Sequence, residues 1–172
     1  MKKITAIAIL LASFSMAANA QDAITKFFDK YAGNEAFTEV TVSSRMFGLF
    51  TEMEVDNAED QEILDAINKL TSLKMLAKDE GTDNMELYKE LMSKMPKEGF
   101  DELMSMREGG QQMKFMIKEK AGKISELVLV SGGESFFVIR LLGEIDLKQV
   151  SKLSQKMNIE GLDKLQNLED KN

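Results

Sequence analysis

Four strand-like runs in the second half of the chain, joined by very short glycine-bearing turns, constrain the fold more than any other feature. They cover residues 100–108, 112–120, 124–131 and 136–143. The separators are Gly109-Gly110, Ala121-Gly122-Lys123 and Gly132-Gly133-Glu134. A connection this short can only fold a strand back beside its neighbour, because a parallel crossover needs a dozen residues or more. Glycine supplies the backbone freedom that hairpin loops require. The four runs therefore predict an antiparallel meander. Met113, Phe115 and Ile117 alternate with Lys114, Met116 and Lys118. Leu127 to Val130 and Phe136 to Ile139 are instead continuously apolar, as central strands covered on both sides or at an interface would be.

Upstream, helical and strand spacings are mixed. Ile24, Phe27, Phe28 and Tyr31 lie at i, i+3, i+4 and i+7, one apolar stripe of a helix that Gly33 can stop. Val40 and Val42 alternate with polar neighbours as in a short strand over 37–43. Helical spacing resumes at Met46, Leu49, Phe50 and Met53, then at Ile63, Leu64, Ile67 and Leu70. Leu73, Met75 and Ala77 suggest another strand. Asn84 is placed to cap a helix over 85–95, which Pro96 and Gly99 end. Asp146 can cap a last helix through Leu147, Val150, Leu153 and Met157, with a weaker stripe from Ile159 to Leu168. The predicted class is α+β: a C-terminal four-strand meander plus N-terminal strands, with helices packed mainly on one face. Without a Pro- or Ser-rich linker, residues 21–172 are expected to form a single domain.

The first twenty residues have the form of a secretory leader. Lys2 and Lys3 precede an apolar stretch from Ile4 to Met16, and Ala18-Asn19-Ala20 presents small residues for cleavage before Gln21. No cysteine follows the cleavage point, so no lipid attachment is expected. No later stretch is apolar enough to span a bilayer. The expected location is the periplasm or the exterior. Loss of Lys2 and Lys3 leaves 20 basic residues against 29 acids, taking the formal charge from −7 to −9. That balance disfavours nucleic acid and anionic membrane surfaces as partners.

The chain has no His, Cys or Trp. Imidazole acid/base chemistry, thiolate nucleophiles, disulfides and imidazole- or thiolate-ligated metal centres are thereby excluded, and the nearest candidates for a thioether copper site, Met104 with Met106 and Met113 with Met116, read instead as core filling. Any metal site would be built from oxygen ligands and would suit Ca²⁺ or Mg²⁺. Asp56, Glu59, Asp60 and Glu62 cluster where a helix starts, and negative charge there suits the helix dipole. Asp79, Glu80, Asp83 and Asn84 surround Gly81 in a turn. Neither cluster has the calcium-loop frame, and no cofactor is expected. Gly132-Gly133-Glu134-Ser135 joins two strands and lacks the phosphate-loop spacing. The thirteen Met residues are spread along the chain, as core filling would spread them. Arg140 is the exception, a charge inside the apolar run 136–142. It needs an edge or solvent-facing position, a partner such as Glu126, or a contact with a ligand or another protein.

Several stretches together resemble one family. They are the leader, Ile24 to Tyr31, Val40-Thr41-Val42-Ser43, Leu127 to Val130 with its glycine turn, Phe137-Val138-Ile139, and Leu142-Gly143-Glu144-Ile145-Asp146-Leu147 with Leu153. The chain resembles the exported bacterial proteins known as domain of unknown function 4252, found mostly in Bacteroides- and Flavobacterium-type bacteria. The resemblance implies no enzyme activity and no assigned site residues. It also implies a link to envelope-stress regulation. The expected function is a non-enzymatic binding or interaction module of the cell envelope, contacting a partner protein near Phe137 and Arg140. A carrier of an apolar ligand is the alternative, followed by a carboxylate-based or Ca²⁺/Mg²⁺-dependent hydrolase.

Overall fold

The computed structural model describes residues 22–51, 55 and 57–157. The leader and the stripe from Ile159 to Leu168 lie outside them, as do Met53 and Asp56. The elements follow in the order α1 (Ala23–Tyr31), β1 (Thr38–Ser43), α2 (Ser44–Thr51), α3 (Ala58–Asn68), β2 (Leu70–Lys78), α4 (Asn84–Met92) and a 3-10 turn (Met95–Glu98). Then come β3 (Asp101–Glu108), β4 (Gln111–Lys120), β5 (Lys123–Gly132), β6 (Phe136–Ile145) and α5 (Leu147–Met157). The six strands form one sheet in the order β1-β2-β6-β5-β4-β3. Every neighbouring pair is antiparallel. The class is α+β, with the C-terminal meander extended by the two N-terminal strands.

The helices cover both faces of the sheet, which corrects the expectation of cover mainly on one face. On the first face Phe47 of α2, Ile63 and Ile67 of α3 and Val150 of α5 pack with Phe115, Leu127, Leu129, Ile139 and Leu141. On the second, Ile24, Phe27 and Phe28 of α1 and Leu87, Tyr88 and Leu91 of α4 pack with Leu76, Met116, Val128, Val130, Phe136 and Val138. The continuous apolar runs follow from this arrangement. Successive strand residues point to opposite faces, so a strand buried on both has no polar position left to alternate with.

Three boundaries differ from the sequence reading. Leu70 opens β2 instead of closing α3, with Lys69 alone between the two elements, and a bulge between Leu70 and Ser72 absorbs the tight connection. The helix expected to reach Met95 stops at Met92, and Pro96 sits in a separate 3-10 turn closed by Gly99 at φ 79°. Asn84 is not the cap of α4. Asp83 precedes the helix and pairs with Lys78, while the Asn84 side chain is fully buried. Its Nδ2 donates to the carbonyls of Asp79 (2.9 Å) and Glu134 (2.6 Å), tying two loops together. Asp146 does cap α5, accepting from the Lys148 and Gln149 amides.

Candidate functional site

Phe137 and Arg140 are three residues apart on β6, so the pleat sends them to opposite faces. The structure does not bring them together.

Arg140 is 9% exposed and lies beneath α1. Its Nε donates to Glu126 Oε1 at 2.6 Å, its Nη1 to Thr25 Oγ1 at 2.7 Å and its Nη2 to Asp22 Oδ2 at 2.9 Å. Glu126 is on β5, diagonal to Arg140, whose direct neighbour there is Val128. Asp22 also caps α1, its Oδ1 accepting from the Thr25 amide. Glu98 of the 3-10 turn accepts from the Ala23 amide. Two otherwise unpaired donors of α1 are thus satisfied, one from outside the helix.

The electrostatics follow this geometry. Burial pushes the Glu126 carboxyl above its ordinary pKa, and Arg140 only partly offsets the push. Burial also acts to raise Asp22, but the Thr25 amide and the Arg140 guanidinium outweigh it and hold the carboxyl below its ordinary value. Burial of Ile24, Phe27 and Phe28 contributes about 1.5–3 kcal/mol each as an upper bound, so apolar packing attaches α1. The ionic network sets where along the sheet α1 sits. Of its members, only Glu126 stands close enough in sequence to suggest itself as a partner. Asp22 and Thr25 lie more than a hundred residues from Arg140, and no local pattern links them.

Phe137 is half-buried on the first face. It lies in the cross-sheet row Ala77–Phe137–Ser131–Met113–Met106. The helices on that face attach at the other end of the sheet: α2 follows Ser43, α3 precedes Leu70 and α5 follows Ile145. At the Phe137 end a depression of about 670 Å³ opens, floored by Met75, Ala77, Met113, Phe137 and Ile139. Lys78, Asp79, Glu108 and Glu134 line it with charge. Gln111 fixes one wall: its Nε2 donates to Ser131 Oγ (2.8 Å) and the Ser135 carbonyl (3.1 Å), and its Oε1 accepts from the Glu134 amide (2.9 Å). An apolar floor with a rim of both signs suits an apolar side chain or ligand that carries polar groups at its margin.

A second depression, of about 500 Å³, lies at the opposite end, between α3, α5 and the β4–β5 turn. Glu62, Asp65, Glu119, Glu144, Asp146, Lys69 and Lys123 line it. Lys69 and Lys123 pair with Glu144. Among the described residues no three carboxylates stand where they could share a metal ion. In the two acidic clusters, Asn57 caps α3 by accepting from the Asp60 amide, and Asp83 pairs with Lys78. Met95, Met113 and Met116 are core residues, and Met75, Met85, Met92, Met104 and Met106 pack against the cores. Among the described residues no helix is long and apolar enough to cross a membrane.

No curated protein and no solved structure gives a significant match to this chain. The family model described as Domain of unknown function (DUF4252) matches residues 31–153, which hold the whole sheet, α2 to α4 and most of α5. The chain belongs to that family.

Proposed function

We propose that the protein is an exported, non-enzymatic interaction module of the bacterial cell envelope, tied to envelope-stress regulation, and that it engages a partner protein through the depression around Phe137. The observation that carries this reading is the chemistry of that depression: a large aromatic and two methionines on the floor, and charges of both signs around them. Buried aromatic anchors inside a polar rim dominate protein–protein contacts. The leader supports the placement in the envelope. Arg140, in this reading, serves the contact from within by fixing α1 on the opposite face.

Two measurements test the proposal. Amino-terminal sequencing of the chain recovered from the periplasm or medium should begin at Gln21; a chain that keeps Met1 would remove the exported role. Pull-downs from the cell envelope should recover a protein that the Phe137→Asp variant binds about tenfold or more weakly, the loss expected of a central aromatic contact. The rim variant Glu134→Lys should weaken it too, whereas Lys97→Glu, exposed on the other side, should not. Recovery unchanged by both Phe137→Asp and Glu134→Lys would put the contact elsewhere.

The volume favours a second reading, an apolar-ligand carrier, because about 670 Å³ falls in the range of small-molecule sites. Native mass spectrometry of the purified protein would then show a bound mass that Phe137→Asp loses.

A further inference from the structure

The two edges of the sheet are built differently. The β3 edge carries Asp101, Glu102, Arg107 and Glu108, and a bulge between Glu102 and Met104 interrupts its ladder. Charges and bulges are the devices by which proteins keep an edge from pairing. The β1 edge, Thr38-Glu39-Val40-Thr41-Val42-Ser43, has neither Lys, Pro nor a bulge, and pairs with β2 in unbroken register. Four of its six residues are Thr or Val, three of them consecutive at its centre, and five of the six are exposed. Val40 is 38% exposed, and Met46 and Leu49 of the following helix are 45% and 53% exposed. These three are the exposed large hydrophobic residues among those described, and all lie within ten residues of one another.

We propose that β1 pairs, antiparallel and about a two-fold axis, with β1 of a second copy of this chain. The occupant follows from the strand itself. A two-fold normal to the sheet through Thr41 puts Thr41 opposite the partner's Thr41, Val40 opposite the partner's Val42 and Glu39 opposite the partner's Ser43. Val40 and Val42 share the first face with Met75 and Leu73 of β2. Both cross-strand apolar pairs therefore extend the row Val40–Met75–Ile139–Leu129–Phe115–Met104 from one copy into the next. No like charges meet. In an acidic chain this stretch is neutral, since Glu39 and Arg45 are the charged residues of 38–46. Met46 and Leu49 add exposed apolar surface on the helix that directly follows the strand. An isologous pairing closes and leaves only the protected β3 edges outward, whereas β1-to-β3 addition would propagate without end.

The absence of Cys makes a clean test available. The protein, purified as the producing cell processes it, should sediment as a dimer in the micromolar range, and Val40→Lys should return it to one chain's mass with unchanged circular dichroism. Thr41→Cys should be captured as a dimer by a short thiol crosslinker, because opposite Cβ atoms in such a pair lie about 4.5–5.5 Å apart. Ser105→Cys, exposed on the β3 edge, should not. A monomer throughout that range, or Thr41→Cys crosslinking no faster than Ser105→Cys, would overturn the proposal.

Discussion

Replacing Arg140 by Leu is expected to cost the folded state about 3–5 kcal/mol, the loss typical of removing one partner from a buried ion pair. Glu126 is 5% exposed and would be left without its guanidinium. Asp22 and Thr25 would lose the bond that seats α1. Urea denaturation at neutral pH measures the effect. The double variant Arg140→Leu, Glu126→Leu should recover most of it, because two apolar residues leave no buried charge behind. The pH dependence has a definite sign. Burial already raises the Glu126 carboxyl, and without Arg140 it rises further. A raised carboxyl gives stability that is present at low pH and lost as pH climbs through the raised value. The deficit of Arg140→Leu should therefore shrink as the solution is acidified from neutrality toward the ordinary glutamate range. Asp22 makes the wild type itself less stable on acidification, since its depressed value gives stability above the ordinary aspartate range that is lost as pH falls; Arg140→Leu forgoes the part that Arg140 supplies, so the deficit narrows there as well. A loss below about 1 kcal/mol, the size of an exposed pair, would mean that the cluster is solvated.

The element order is legible in the sequence because its signals are local. The glycine turns at 109–110, 121–122 and 132–133 and the alternation of Met113, Phe115 and Ile117 each specify their own neighbourhood, and the meander follows from turn length alone. Cover on both faces is also written there, in the unbroken apolar runs at 127–130 and 136–139. It is misread if an antiparallel meander is assumed to have one wet face. Partners distant along the chain are not legible. Nothing near Arg140 announces Asp22 or Thr25, and nothing near Asn84 announces the Glu134 carbonyl. Both side chains resemble surface features by type, a strand charge and a helix cap, and both are internal because loops or a helix from elsewhere in the chain close over them. The candidate site illustrates the same limit. Parity along β6 already separates Phe137 from Arg140, but the depression around Phe137 exists only because the three helices of that face all attach at the other end of the sheet.

Gly143→Ala is expected to cost about 2–6 kcal/mol, and the reason lies where the two halves of the chain join. Gly143 has φ 142°, a region that side-chain-bearing residues rarely adopt, which alone costs about 1–3 kcal/mol. A Cβ there would stand 2.3 Å from the Lys69 carbonyl oxygen and 2.7 Å from Leu70 Cα. Both are backbone atoms, so no side chain can swing aside, and overpacking adds about another 1–3 kcal/mol. Gly143 is the register partner of Leu70 at the β2 bulge, and the neighbouring Glu144 amide donates to the Lys69 carbonyl at 3.1 Å. Relief of the clash must push β2 away from β6. Gly110→Ala separates the two contributions: its φ is 88°, but nothing lies within 4 Å of the added carbon, so only the backbone cost of about 1–3 kcal/mol applies. Denaturation midpoints of the two variants should therefore differ, with Gly143→Ala the less stable. Hydrogen exchange adds a spatial test. Because within the sheet β1 pairs with β2 alone, and β2 joins the meander through β6, Gly143→Ala should speed exchange on β1 and β2 while β4 and β5 keep their protection. Equal losses for the two variants, or exchange raised evenly over the sheet, would show that the close approach at Lys69 does not hold the N-terminal strands in place.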